Sequence, residues 1–206
     1  MRTNLLKNCK LLVICLLVTL SFISTANAEG LRIRGQLVKL DNNFATIKTS
    51  SGQKIEIKLL DTLTVLLFKD IKFEDIHKNA YLSIPSVPFG ENSRRALGIN
   101  VFPEAMRGFN EGVGDWDLTS ESKMTNATLA QVVNNTSNNE RILLVRFGEE
   151  TQKVLVPLTT KITTFAPSKN HRIKVGDNMI IFAKVSGGTL AGDLIAIREK
   201  GTLPPI

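Results

Sequence analysis

Three observations predict an all-β fold for this 206-residue chain. Apolar and polar residues alternate with period two, turn-forming residues separate the alternating runs, and the pattern recurs at a fixed offset of 99 residues. The architecture they predict is two related small antiparallel β-barrel-like (OB-like) units joined by an ordered linker and preceded by a signal peptide. A two-sheet sandwich is the alternative. The expected segments are a signal peptide over 1–28, a first β unit over 29–102, a linker over 103–123 and a second β unit over 124–206.

The leader comes first. Arg2, Lys7 and Lys10 form a positive n-region, Leu11 to Ile23 form an apolar run interrupted only by Thr19 and Ser21, and Ala26-Asn27-Ala28 is an A-x-A site that places cleavage before Glu29. The run is too short for an uncleaved anchor, since a membrane core needs about 20 apolar residues. Lipidation at Cys15 is disfavoured because Ile14 is too bulky for the position before a lipobox cysteine. Both cysteines, Cys9 and Cys15, fall in the leader, so the remaining chain has no thiol and a core without disulfides must hold it. No second apolar run approaches spanning length. These features predict a periplasmic or secreted protein of a Gram-negative bacterium, with no transmembrane segment in the mature chain.

In the first unit, Leu31, Ile33 and Leu37 alternate with Arg32, Arg34 and Gln36, and Lys54-Ile55-Glu56-Ile57-Lys58-Leu59 sorts its apolar side chains to one face. Asp41-Asn42-Asn43 and Ser50-Ser51-Gly52 supply residues that tolerate the positive φ of tight hairpins. Strands are expected near 31–40, 43–49, 53–59, 63–68, 79–84 and 96–102, with a short helical turn within Asp70 to Lys78. In the second unit the offset places Val154 under Ile55, Val156 under Ile57, Ile162 under Leu63, Asn178 under Asn79 and Ile181 under Leu82. Each unit alone is small enough to be marginally stable, so packing of one on the other is expected.

The linker is the least generic segment. Pro103 fits the start of a helical turn and Gly108 its left-handed stop, with Glu104 and Arg107 three apart on one face. Phe102, Met106, Phe109, Trp116 and Leu118 are too apolar for a flexible tether, and Trp116 is expected to dock on the β units. The candidate ligand or interface residues are Glu104, Arg107, Glu111, Asp115, Trp116 and Asp117, with Glu104, Arg107 and Glu111 expected in a crevice between the units.

Around Val101-Phe102-Pro103-Glu104-Ala105-Met106-Arg107-Gly108, Glu111-Gly112, Trp116-Asp117-Leu118, Met124-Thr125-Asn126-Ala127 and Pro204-Pro205 the chain resembles a group of uncharacterised proteobacterial exported proteins with repeated small β domains of unknown function. The resemblance spans nearly the whole chain after residue 28. It implies a periplasmic location and a shared linker, and no activity. Members commonly carry His after the Glu-Gly pair and Pro before the Trp, where this chain has Val113 and Asp115.

Composition narrows the function. With 43% hydrophobic, 22% charged and 6% aromatic residues, collagen-like, coiled-coil, low-complexity and multi-span membrane classes are excluded. The 26 basic residues less the three in the leader, against 19 acidic, leave +4, enough for weak attraction to anionic surfaces. Nucleic acid is not an expected partner, because the few aromatics sit at apolar strand positions that suit a core. The leading reading is a non-catalytic binding or accessory module with an unknown envelope ligand or protein partner and no cofactor. The second reading is a metal-binding or metal-transport accessory protein that uses the oxygens of Glu104, Glu111, Asp115 and Asp117, although the metal itself is undetermined. A hydrolase ranks third, since no G-x-S-x-G elbow neighbours His77 or His171. Asn126-Ala127-Thr128 and Asn134-Asn135-Thr136 match a glycosylation pattern, with polar strand-edge segments as the plainer reading.

Overall fold

The computed structural model describes residues 30–135, 140–168, 171–199 and 201–206, so the leader expected over 1–28 lies outside the described residues. Within them the regular structure is β-strand apart from two single 3₁₀ turns, as the period-two pattern predicts. The strands are β1 (Leu31–Asp41), β2 (Phe44–Lys48), β3 (Lys54–Asp70), β4 (Tyr81–Pro88), β5 (Ser93–Ala96), β6 (Ile99–Val101), β7 (Gly112–Asp115), β8 (Lys123–Asn135), β9 (Glu140–Phe147), β10 (Glu150–Pro157), β11 (Ile162–Pro167), β12 (Asn178–Ser186) and β13 (Thr189–Arg198). The β1–β2 hairpin turns through Asn42 at φ +50°, and the next turn ends on Gly52 at φ +83°, the residue types that the turns were expected to need.

The strands expected over 53–59 and 63–68 are one continuous strand, β3. Leu60, Asp61 and Thr62 include no Gly or Pro to turn the chain, so they bulge outward and exposed. Opposite that bulge, β13 advances only from Gly192 to Leu194 while β3 advances from Leu59 to Thr64. In the second half the equivalent chain does break, between β10 and β11. Leu158, aligned with the buried Leu59, is therefore 52% exposed.

Pairing closes a five-stranded barrel in the order β1-β2-β3-β13-β12 and back to β1, antiparallel except for β3 beside β13. A second circuit with the same order and directions runs β8-β9-β10-β5-β4 and back to β8, again with one parallel pair, β10 beside β5. Neither circuit is made within one of the expected segments 29–102 and 124–206. Each takes three strands from one half and two from the other, so the halves exchange their last strand pair. The residues matched by the 99-residue offset record the exchange. Ile57 lies in the first barrel's core and Leu82, later in the same half, in the second's, whereas Val156 lies in the second core and Ile181 in the first. An offset in sequence relates positions along the chain and leaves open which circuit each one closes.

β11 joins the circuits into one sheet by pairing antiparallel with β3 and parallel with β6, which in turn pairs with β4. A third apolar cluster lies between them, formed by Phe68, Ile180 and Ala196 on the outer face of the first barrel, by Phe165 of β11, and by Tyr81, Phe102 and Met124 on the other side. Strand β12 shows why both sides are apolar: Met179, Ile181 and Ala183 face the first core while Ile180 and Phe182 face the third cluster. Burial on both faces turns an alternating pattern into a continuous apolar run.

Candidate functional site

The linker lies over this third cluster. Pro103 precedes a 3₁₀ turn at Glu104–Met106, and Gly108 leaves it at φ +82°, as the sequence pattern predicts. The turn docks through the Phe109 carbonyl, which accepts hydrogen bonds from Tyr81 Oη at 3.1 Å and Asn126 Nδ2 at 3.2 Å. Burial, with Glu111 adding and Arg107 opposing, pushes the Tyr81 phenol up to about 12, which keeps it a donor at all ordinary pH. After β7 the chain folds back on Ser122, whose hydroxyl donates to Trp116 O at 2.7 Å and accepts from Thr119 N. Trp116 is half-buried against the third cluster, and the Arg32 guanidinium lies 4.0 Å above its ring centre.

Beneath Trp116 is a cavity of about 300 Å³ between the two circuits, walled mainly by Phe68, Phe165 and Phe182 on one side and Phe102, Phe109 and Trp116 on the other. The rings pack against one another, with Phe68 and Phe165 stacked at 4.8 Å and Phe102 edge-on to Phe165 at 5.4 Å. Among the described residues Arg32 is the charged one on this wall. A second depression of about 290 Å³ runs along β7 and shares Asn110, Trp116, Met124 and Asn126 with the first. Ser83 and Asn100, which also line the first cavity, form a buried polar seam with Thr163. Thr163 Oγ1 donates to Asn100 Oδ1 at 2.5 Å, and Asn100 Nδ2 donates to Ser83 O at 3.4 Å.

The residues expected to form the site are spread over this region and do not converge. Glu104 and Arg107 pair with each other in a two-pronged contact, and Arg107 also donates to Asn79 O at 3.0 Å. The hydrogen bond from Arg107 holds the Glu104 carboxyl below its ordinary range. Glu111 accepts from Gly148 N at 2.9 Å, and Asp115 pairs with Lys123, whose hydrogen bond lowers its carboxyl. Asp117 binds Arg32 and Arg34, at 2.8 Å each. Burial alone would raise its carboxyl, but the hydrogen bonds from Arg34 and Arg32 and their charges outweigh that and bring it to about 2.

Glu104, Arg107 and Glu111, expected in the crevice, do not line the cavity between the circuits. Glu111 and Asp115 border the outer depression, and Trp116 alone of the six lines both. Among the described residues no group of three or more His, Asp or Glu side chains is placed to hold a metal ion. Neither His77 nor His171 lines either cavity.

Sequence reasoning missed Arg32, Arg34, Tyr81 and Asn126. Arg32 and Arg34 fall on the strand face opposite Leu31, Ile33 and Leu37; the linker covers that face, and Asp117 pairs with both. Asn126 is 8% exposed within β8, between β4 and β7, so its glycosylation pattern is inaccessible. A polar residue inside a strand flanked by Met124 and Ala127 was the available signal. Asn134 and Asn135 lie where side chains are outside the described set.

No protein-family model, no curated protein and no solved structure matches the chain.

Proposed function

We propose that this is a non-catalytic periplasmic binding module that takes a small, mostly apolar ligand into the cavity between its two circuits, beneath the Trp116 linker. The observation that carries the reading is the cavity itself, walled by six aromatic rings, of a size near the lower end of small-molecule sites, and placed between the two strand circuits. The distance of both histidines from the cavity and the engagement of each linker acid by a cation or an N–H support binding over hydrolysis. The leader and the cysteine-free remainder support the compartment. Among the described residues no helix is long and apolar enough to cross a membrane.

The test uses N-phenyl-1-naphthylamine, an uncharged fluorophore, with Trp116 as the chain's one tryptophan. The dye should bind saturably with one-to-one stoichiometry and quench Trp116 emission by energy transfer. Leu194→Arg, which sets a charge on the cavity wall at a half-exposed position, should abolish binding without unfolding the protein. Unsaturable dye uptake, or binding unaffected by that substitution, would remove the proposal.

A further inference from the structure

Among the described residues β7 pairs with β8 alone, so its other edge is open. The bonds of β8 fix which main-chain groups lie on that edge. Leu129 N donates to Ala80 O on the β4 side, and Trp116 N donates to Ser122 O on the β7 side. Alternation along the ladder then turns Gly112 and Gly114 inward to β8 and sets the N–H and C=O of Val113 and Asp115 along the open edge, where Val113 is 46% exposed. Gly114 makes the edge approachable. It has no positive φ, and a Cβ added to it would meet nothing within 4 Å, so neither a turn nor crowding inside the chain calls for glycine there. A glycine inside a strand weakens it, and one recognised use is the close approach of a ligand or another backbone. The face that Gly112 and Gly114 leave bare belongs to the depression of about 290 Å³, and the residues paired with them across the ladder, Asn126 and Met124, line it too. Its two ends differ in charge. At one, the exposed Glu111 accepts from Gly148 N in the turn that carries the exposed Glu149 and Glu150, three carboxylates beside Arg146; at the other, Asp115 is paired with Lys123.

We propose that β7 receives an extended peptide segment of a partner protein, added antiparallel to it as the next strand of the sheet. This goes beyond the cavity reading and does not depend on it. Val113 and Asp115 each exchange N–H···O bonds with the peptide residue opposite. The peptide residue opposite Gly114 falls at a non-hydrogen-bonded pair, where Cα atoms come to about 4.5 Å, and its apolar side chain lies over the bare glycine face towards Met124 and Trp116. Three residues further on, a lysine or arginine faces Glu111 and complements the acidic end. A second copy of β7 fits less well. Pairing centred on Val113 sets Asp115 against Glu111, and pairing centred on Gly114 places glycine against glycine and leaves the depression unfilled.

The probe is acetyl-TTLVTKT-amide, which sets its leucine opposite Gly114, its valine opposite Val113 and its lysine opposite Glu111. In proton–nitrogen NMR spectra of the protein, the Val113 and Asp115 amide signals should shift saturably as it is added. Methylating the valine nitrogen removes the bond to Val113 O and should weaken binding at least about tenfold, whereas methylating the leucine nitrogen, which points away from β7, should change it less than about twofold. Gly114→Val, whose Cβ has open space, crowds the depression and should weaken the peptide about tenfold. Glu111→Gln keeps the acceptor for Gly148 N and should weaken the peptide about threefold while leaving a version with glutamine for lysine unchanged. Leu194 lines the inner cavity and not the depression, so Leu194→Arg should leave peptide binding intact, which separates failure here from failure of the cavity reading. Equal effects of the two methylations, or no shift of the two amide signals up to about 5 mM peptide, would overturn the proposal. Shifts of the same signals with protein concentration alone would assign the edge to a second copy and overturn it as well.

Discussion

Replacing Ile57 by Ala perturbs one barrel, and replacing Val156 by Ala, 99 residues further on, perturbs the other. Both side chains are fully buried. Ile57→Ala removes three carbons, about 2.4 kcal/mol at about 0.8 per methylene, and the cavity left behind brings the loss to about 3–4 kcal/mol. Val156→Ala removes two carbons and should cost about 2–3 kcal/mol on the same reckoning. In two independent barrels, each substitution would lower one transition and leave the other in place. Here β3 of the first barrel is joined to β4 of the second through a single short turn, β11 pairs with β3 and β6, and an aromatic cluster packs between the two. Urea denaturation followed by far-ultraviolet circular dichroism and by Trp116 emission should therefore show a single transition in both variants. Its midpoint should shift by the stated amounts at constant slope, and the two probes should coincide. A biphasic curve in either variant, or separated midpoints, would refute the coupling.

Asp117 gives a pH prediction. Its carboxyl is lowered from 3.8 to about 2 in the folded protein, so its pairing stabilises fully above about pH 4 and is lost as pH falls towards 2. Because its side chain is 42% exposed, the contribution is on the order of 1 kcal/mol or less. The drop in melting temperature between pH 5 and 2.5 should be smaller in Asp117→Asn than in the unaltered chain, and equal drops would contradict this. Gly98→Ala tests the segment that reaches the cavity through Ile206. An added Cβ would sit 2.6 Å from the Pro205 carbonyl oxygen, so Pro205 must shift, at about 1–3 kcal/mol in urea denaturation. Unchanged stability would mean that Pro205 does not pack there. Trp116→Ala should cost about 2 kcal/mol, below the value for a fully buried Trp because the ring is half-exposed, and unaltered stability would reduce the linker to a tether.

The strands with one wet face were legible, because period-two alternation is a local consequence of the pleat; Lys54 to Leu59 is the clearest case. What a local pattern does not encode is the partner across the sheet. Ile181 matches Leu82 whichever barrel each one enters, and only the pairing decides. The linker acids show the same limit from the other side. Glu111, Asp115 and Asp117 are close in sequence, which suggested a shared cation, yet their partners come from Gly148, Lys123, Arg32 and Arg34 and draw them in different directions. A stronger reading was available in Met179 to Ala183, where the absence of alternation already signalled a strand covered on both faces.

The strand exchange has a kinetic consequence. As the chain leaves the ribosome, β1 to β3 emerge first but cannot close their barrel, because its remaining walls are β12 and β13. β4 and β5 follow and wait in turn for β8 to β10. The barrel whose first strand appears later is thus the first that can be completed, once Pro157 is out, and the one begun first is finished last, at Arg198. Until then the three leading strands present unpaired edges and an uncovered apolar face over most of synthesis, the condition that slows folding of non-local β topologies and invites association with other chains. A nascent chain of this design depends on being kept apart from its neighbours until its final hairpin arrives.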